Sequence, residues 1–398
     1  MREISLTEYE PSTVSRSTLP EILARRLVED YGTKITLESP PFQDDWLLTA
    51  RGWIGWVPLD PELVLHLRPR VPLENLFGML EYAYRLKGIE ILPNVVPSGS
   101  LEEFFQSLAR ILAARVIDRA RRGLYRSYLD ERDTLPYIRG RLNLSEALSR
   151  PHRVRLPCHF EENTADLSDN QILAWTLHAI LLTGMCREDT ETIVRKAFHA
   201  LRNSVSLRPF KPDECFQQLY NRLNCDYLPL HALCRFFLES SGPTHNRGER
   251  RTLPFLVDMA HLFELFVAEW LRAHVPPEIK VEVQDSIKLG EERAFEFVID
   301  MSLVDRMTGR CVAVLDTKYK LDDKPSNDDI SQVVTYAVAK DSEFAILVYP
   351  QVLGYQAVGQ VGPVRVYALG YPIGGDLEQT GQDLLSKLLK VIGRNQNY

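Results

Sequence analysis

The chain has 398 residues, enough for two or three domains of ordinary size. Hydrophobic residues make up 45% and charged residues 25%, which excludes a disordered polypeptide. Its 47 basic and 54 acidic residues leave a net charge of −7, so nothing global advertises nucleic acid, although a local basic face is compatible with an acidic total.

Met1 to Glu10 is polar and acidic, unlike a secretory leader. The longest apolar stretch, Ile172 to Cys186, is interrupted by His178 and is too short to span a bilayer. Cysteines fall at 158, 186, 215, 225, 234 and 311 without a Cys-x-x-Cys pair. Cys225, His231 and Cys234 could be arranged as a zinc site, but buried free thiols are the better reading. The expectation is a cytoplasmic, reduced protein without a membrane partner. No Gly-x4-Gly-Lys-Ser/Thr phosphate loop occurs, so a nucleotide-driven motor must reside on another chain.

In chain order, residues 1 to about 70 look β-rich. Ile35-Thr-Leu, Trp46-Leu-Leu-Thr and Leu63-Val-Leu-His-Leu are strand-forming runs, broken by Pro40-Pro41, Gly52, Gly55 and Pro58. Trp46, Trp53 and Trp56 surround these glycines, where interface anchoring is weighed slightly above core packing. Helices are predicted over 73–91 and 101–129, the second from Leu101, Phe104, Leu108, Ile111 and Leu112 at helical spacing. The arginine-rich run from Arg110 to Arg126 reads as a solvated helix face.

A passage punctuated by Pro136, Pro151 and Pro157 precedes helices at about 168–185 and 188–202. The breaker-rich run Ser240-Ser-Gly-Pro-Thr-His-Asn-Arg-Gly248 marks a domain boundary. Three parts follow: 1–155, β-rich and helical; 156–250, a helical connection; and 251–398, a mixed α/β domain. That last part opens with a helix from Leu256 to Val275, then strands at about 279–284, 294–300 and 311–318. A helix at about 328–340, capped by Ser326 or Asn327 with Asp328 and Asp329 in its first turn, separates these from strands at Phe344–Tyr349 and Val364–Leu369. The predicted class is α+β, mixed, with a sheet flanked by helices.

The chemistry concentrates in two strands, Phe295-Glu-Phe-Val-Ile-Asp300 and Val312-Ala-Val-Leu-Asp316-Thr-Lys318. Side chains alternate along a strand, so Val312, Val314, Asp316 and Lys318 share a face that turns from apolar to charged. If the strands are neighbours, Asp300 arrives beside Asp316. Two clustered carboxylates repel each other and are costly to bury, a cost that Mg²⁺ or Mn²⁺ would relieve. Such an ion activates water and stabilises charge on phosphoryl oxygens, and Lys318 could orient or deprotonate that water or balance the charge. Glu264 would complete the site from the preceding helix, where Ala260, His261, Val267 and Ala268 put it at the edge of the apolar stripe. Gln332 and Tyr336, four apart, form an accessory pair or a packing detail. Alone, Asp-x-Lys would more often be a strand-end ion pair. The ordered helix acid, strand Asp and Asp-x-Lys strand instead resemble a PD-(D/E)xK nuclease site, with Asp300, Asp316, Lys318 and Glu264 as catalytic residues.

Most of the chain also resembles the McrC family, nuclease subunits of McrBC-type modification-dependent restriction systems. The resemblance is carried by Gly52-Trp-Ile-Gly55, Leu67-Arg-Pro-Arg70, Asn75-Leu-Phe-Gly-Met-Leu80, Ile138-Arg-Gly-Arg-Leu142 and Cys158-His-Phe-Glu-Glu-Asn-Thr-Ala-Asp166, continuing to Asn170. Asp300, Asp316 and Lys318 match the family's catalytic triplet. Ile299 stands where proline is usual, and Arg70 where lysine is frequent. The resemblance implies a partner, an McrB-like hexameric AAA+ GTPase ring that translocates modified double-stranded DNA. Residues 1–155 would dock on that ring and stimulate it, while 251–398 would cut in a Mg²⁺- or Mn²⁺-dependent manner. Two other readings remain: a free-standing repair or recombination nuclease, and a non-catalytic activator of an AAA+ ring carrying a relict nuclease fold.

Overall fold

The computed structural model describes residues 2–40, 45–60, 62–86, 100–149, 154–215, 217–241, 254–289, 295–320, 324–353 and 357–393, with the side chains of 285–297 and 357 excepted. Pro41, the predicted helical residues 87–91, Pro151, the breaker-rich run beyond Ser241 and the side chains of Phe295, Glu296 and Phe297 lie outside the described residues.

The N-terminal part forms β1 (Arg2–Thr7), β2 (Ser12–Ser15), α1 (Glu21–Tyr31), β3 (Ile35–Glu38), β4 (Asp45–Ala50), β5 (Trp53–Pro58), β6 (Leu63–Arg68) and α2 (Leu73–Ala83). The middle forms α3 (Leu101–Arg122), β7 (Ser127–Leu135), β8 (Arg141–Leu142), α4 (Leu144–Ser149), β9 (Leu156–Thr164), α5 (Ser168–Leu182), α6 (Glu188–Arg202) and α7 (Leu228–Ser240). The remainder forms β10 (Phe255–Asp258), α8 (Met259–His274), β11 (Ile279–Leu289), β12 (Phe295–Asp305), β13 (Cys311–Thr317), α9 (Asn327–Ala339), β14 (Phe344–Tyr349), β15 (Ala357–Val361), β16 (Val364–Gly370) and α10 (Leu377–Val391).

These elements gather into two compact units, one made of Met1–Leu101 with Pro254–Tyr398 and the other of Glu102–Leu253. The expected division at 155 and 250 therefore gives way to an insertion, because β10 lies beyond the supposed boundary yet pairs antiparallel with β5. It completes a sheet ordered β1-β6-β5-β10. Leu256 belongs to the same apolar cluster as Leu6, Leu48, Leu65 and Leu67. The segment Gly52–Gly55, expected as a turn, runs into strand β5: Gly52 takes a positive φ of 66°, and Gly55 lies so close to Phe255 that any Cβ would strike its carbonyl oxygen. The tryptophans are correspondingly not exposed anchors. Trp46 and Trp56 are buried, and half-buried Trp53 lies under the Lys34 ammonium, 4.1 Å from its ring.

The second sheet of this unit is ordered β11-β12-β13-β14-β16-β15, antiparallel at both ends and parallel across β13, β14 and β16. Helix α9 packs on β13, β14 and β16, and α8 packs on β11 and β13. The helix predicted from Leu256 starts only at Met259, because the preceding residues make ladder bonds to β5 and Asp258 then caps the helix through the Ala260 and His261 amides.

In the inserted unit, α3 ends at Arg122 rather than 129, since Gly123 takes φ 101° and the chain enters β7 of a sheet ordered β7-β9-β8. Its arginines are largely tied down: Arg110 with Asp189, Arg119 with Asp226, Arg122 with Asp118, and Arg126 with Asn163. Buried His231 is held by Tyr220 and the Asp169 carbonyl rather than by a cysteine. All six cysteines are free, although Cys225 is exposed, not buried as expected. Among the described residues no helix is long and apolar enough to cross a membrane.

Candidate active site

Strands β12 and β13 pair with Met301 opposite Leu315, so one further step along the register sets Asp300 beside Asp316. On β13, Asp316 follows the buried Val314 and faces α9, where Val333, Tyr336 and Ala337 pack against Val314, Ala345 and Leu347. The charged strand end thus grows directly out of an apolar strip. Lys318 follows the strand, its amide donating to the Val348 carbonyl at 2.9 Å, which fixes the main chain before the side chain reaches back.

The geometry is compact. Asp316 is 1% exposed, and Lys318 Nζ lies 2.7 Å from its Oδ2. Both carboxylate oxygens of Asp316 are buried, and the Lys318 ammonium supplies their counter-charge. Asp300 Oδ2 accepts from the Thr317 amide at 3.0 Å and its hydroxyl at 3.3 Å. Lys318 Nζ also donates to Gln332 Oε1 at 2.8 Å, and Gln332 Nε2 donates to the Tyr336 hydroxyl at 2.8 Å. The two helix residues are therefore drawn into the cluster rather than merely packed beside it.

Electrostatics follow from burial. Asp300 is pushed up to about 7, first by desolvation, then by the Asp316 and Glu264 charges, against the Thr317 amide and Lys318. Asp316 is also raised, chiefly by burial, with Lys318 opposing and Asp329 and Glu264 adding to the rise. Burial alone would lower Lys318, but Asp316, Asp300 and Asp329 outweigh it and hold the ammonium above its ordinary range. Glu264 stands on α8, half-buried, with His261 Nδ1 3.6 Å away, and reaches the aspartates through its charge rather than a bond. Among the described residues no three His, Cys, Asp or Glu side chains already form a cage for a metal ion. The adjacent buried carboxylates, both with raised pKa, nevertheless suit a site that a hard divalent cation would relieve.

Asp329 was expected only as a favourable acid in the first turn of α9. It is buried, forms a capping box with Ser326, and binds Lys320 Nζ at 2.9 and 3.1 Å, with Lys318 Nζ 4.0 Å away. Burial would raise it, yet the hydrogen bonds from Lys320 and Ser326 bring it below the ordinary carboxylate value. The Ser-x-x-Asp spacing signalled the cap but not the contact with the lysines.

The inserted unit carries a different feature. Most of β7 is exposed, and beyond it Tyr137, Ile138 and Leu148 are 60%, 62% and 76% exposed. Gly140, φ 66°, makes a close approach at which a Cβ would strike the His159 carbonyl, and Arg139 stacks on Phe160 at 4.0 Å. The Ile138–Leu142 motif therefore shapes a projecting turn with apolar tips.

Comparison with known proteins places these features in context. A family model described as "McrBC 5-methylcytosine restriction system component" matches residues 48–350. The type IV methyl-directed restriction enzyme EcoKMcrBC of Escherichia coli (strain K12) is 24% identical over 219 residues, covering 52% of this chain and 60% of that protein. The chain thus matches less than two thirds of that relative's length. Among solved structures, a half-complex from a tetradecameric assembly of Thermococcus gammatolerans McrB AAA+ hexamers with bound McrC matches 98% of this chain and 100% of the other, at 16% identity and a TM-score of 0.56. At that identity the likeness is one of fold.

Proposed function

The chain belongs to the McrBC family of 5-methylcytosine restriction system components, and from that premise we propose that it is the McrC-type subunit that cuts double-stranded DNA. One observation carries the proposal: two carboxylates, Asp300 and Asp316, are buried side by side, with the Lys318 ammonium paired to Asp316. A purely structural strand end gains nothing from that arrangement, since two buried carboxylates beside one ammonium leave excess negative charge in the interior. In the PD-(D/E)xK reading, Asp300, Asp316 and Glu264 would hold Mg²⁺ or Mn²⁺. The ion would supply a water of lowered pKa and a counter-charge for the phosphoryl oxygens.

The chain's own residues divide the remaining work. Thr317 fixes the Asp300 carboxylate through its amide, leaving the other oxygen free. Gln332, braced by Tyr336, and Asp316 hold Lys318 from two sides. With its pKa raised, Lys318 is an ammonium at neutral pH, which favours stabilising charge on the scissile phosphate over taking a proton from water. Asp329 binds Lys320 and lies 4.0 Å from Lys318 Nζ.

We assign the docking role to the inserted unit. Its exposed Tyr137, Ile138 and Leu148 would seat on an AAA+ GTPase ring, and the chain's lack of a phosphate loop leaves nucleotide hydrolysis to that ring. The test is cleavage of modified DNA by the chain co-purified with its ring partner. Lys318→Ala and Asp316→Asn should each lower it by on the order of 10³-fold while the protein stays folded. Mg²⁺ or Mn²⁺ should support the reaction and Ca²⁺ should not, being larger and a poor activator of water. Undiminished cleavage by both variants would sink the site.

A further inference from the structure

A second buried carboxylate lies far away in sequence but close by in the fold. Glu8, just after β1, is 0% exposed. Its Oε1 accepts the Tyr319 hydroxyl at 2.9 Å and the Arg70 amide at 2.9 Å, while its Oε2 is buried without a hydrogen-bond partner. Burial pushes its pKa up, against the Arg70 and Tyr319 hydrogen bonds. Its neighbour Tyr9 takes a φ of 58°, unusual for a residue with a side chain, and donates its hydroxyl to the Tyr319 carbonyl at 3.1 Å. Adjacent Glu8 and Tyr9 thus grip Tyr319 by side chain and main chain together.

Tyr319 stands between Lys318 and Lys320. The Lys318 amide is pinned to Val348, and the Lys320 amide donates to the Lys318 carbonyl at 2.9 Å. From the other side the Phe263 ring, one residue before Glu264, packs on the Tyr319 ring at 6.0 Å. Gly52 explains how Tyr9 reaches its place, because a Cβ there would lie 2.5 Å from the Tyr9 hydroxyl. The Gly52 carbonyl meanwhile accepts the amide of Met259, the first residue of α8. The same glycine therefore touches the supports of both Lys318 and Glu264.

We propose that Glu8 and Tyr9 are positioning residues for Lys318, acting through Tyr319 to fix the chain path at the end of β13. This rests on Lys318 serving cleavage as above. A seam needed only for stability would be better served by apolar groups of the same volume, since an incompletely bonded buried carboxyl and a left-handed tyrosine both cost free energy. Such costs are met where they hold a reacting group in place, and a displacement of about 1 Å at such a group can lower a rate by on the order of 10²-fold.

The experiment uses the full chain with its ring partner, and the variants Tyr319→Phe, Glu8→Ala and Glu8→Gln. Tyr319→Phe removes one oxygen, and Glu8→Gln keeps an acceptor for both Tyr319 and Arg70. We expect Tyr319→Phe and Glu8→Ala to lower kcat by on the order of 10- to 100-fold with KM for DNA unchanged, and Glu8→Gln to restore the rate. An activity-independent readout is the ε-carbon NMR signal of Lys318 in lysine-labelled chain, identified by its loss in Lys318→Ala. It should move in Tyr319→Phe and return in Glu8→Gln. A wild-type kcat for Tyr319→Phe, or a lost rate with an unmoved Lys318 signal, overturns the proposal. Should Glu8→Ala fail to fold, Tyr319→Phe decides alone. Wild-type cleavage by Lys318→Ala would instead refute the cleavage reading, while a shifted Lys318 signal in Tyr319→Phe would still support the clamp.

Discussion

Around Asp316 the protein draws charge inward, whereas along β7 and the turn after it apolar side chains are left in water. Asp316, Asp329 and Glu8 are all buried in the first unit, and one oxygen of Glu8 has no hydrogen-bond partner. In the inserted unit Tyr128, Tyr137, Ile138, Leu144 and Leu148 stand exposed. Single exposed apolar residues are ordinary, but a group concentrated on one small sheet and its following helix is not. The buried charge costs stability in the isolated chain and the exposed apolar groups contribute little to it, and both become favourable when something else arrives: a cation and phosphate in one case, an apolar partner surface in the other. The comparison predicts that the two regions respond oppositely to substitution, since relieving the buried charge should stabilise the chain and removing the exposed apolar groups should leave its stability alone.

The largest effect is expected at the seam that supports the catalytic side. Gly55 has φ 132° and no room for a Cβ against the Phe255 carbonyl, so Gly55→Ala must push β10 away from β5. The same displacement moves Asp258, the cap of α8, and with it the helix bearing Glu264. A loss of roughly 3 kcal/mol or more is expected, read as a lowered midpoint in thermal or urea unfolding. A wild-type midpoint would mean that β10 is a loose appendage and that the N-terminal sheet does not support the site.

Much of this arrangement was legible in the sequence, and the part that was not has a common cause. The run Val312 to Lys318 announced a strand by alternation and a site by its charged end, and α9 announced itself through Ser326 and Asp329, because these signals are local. Residues 256–258 read as helix because Leu256 and Met259 continue the apolar stripe of α8, yet their backbone partners lie about two hundred residues earlier in β5. Glu8 carried no signal at all. Its meaning depends on Tyr319, 311 positions away, and no periodicity encodes such a contact. The tryptophans were misplaced for the same reason: their covering groups, Leu19 for Trp46 and His66 for Trp56, come from other strands and turns.

A smaller effect separates the charged side by pH. Asp300 is raised from 3.8 to about 7, so between those values the folded chain keeps a proton that the unfolded chain has released. Folding then binds protons, and the sign is fixed: this contribution is fully present below about pH 4 and is lost as pH rises through about 7. In metal-free protein, Asp300→Asn should remove that loss and raise the thermal midpoint at pH 8 by on the order of a few degrees, with no gain at pH 5. The asparagine oxygen can still accept from Thr317, so packing is preserved. Equal midpoints for variant and wild type at pH 8 would contradict the buried, mutually repelling pair.

The smallest effect on the isolated chain is expected at the arm, and there the comparison is sharpest. Tyr137 and Ile138 are mostly exposed, so Tyr137→Ser and Ile138→Ser remove little apolar area that folding has buried. Surface substitutions of this kind stay within about 0.5 kcal/mol, and the midpoint of the free chain should be unchanged. The close approach at Gly140 is to His159 and Phe160, and Arg139 stacks on Phe160, so the turn should keep its form without the Tyr137 and Ile138 side chains. If the tips seat in a partner, each truncation exposes an unfilled pocket there and should weaken association by on the order of 1–3 kcal/mol. Titration of the co-expressed ring with each variant measures this, and cleavage normalised to the bound fraction should not change. A lowered midpoint with normal association would mean that the arm folds back onto its own unit, and the contrast between inward charge and outward apolar surface would then hold on one side only.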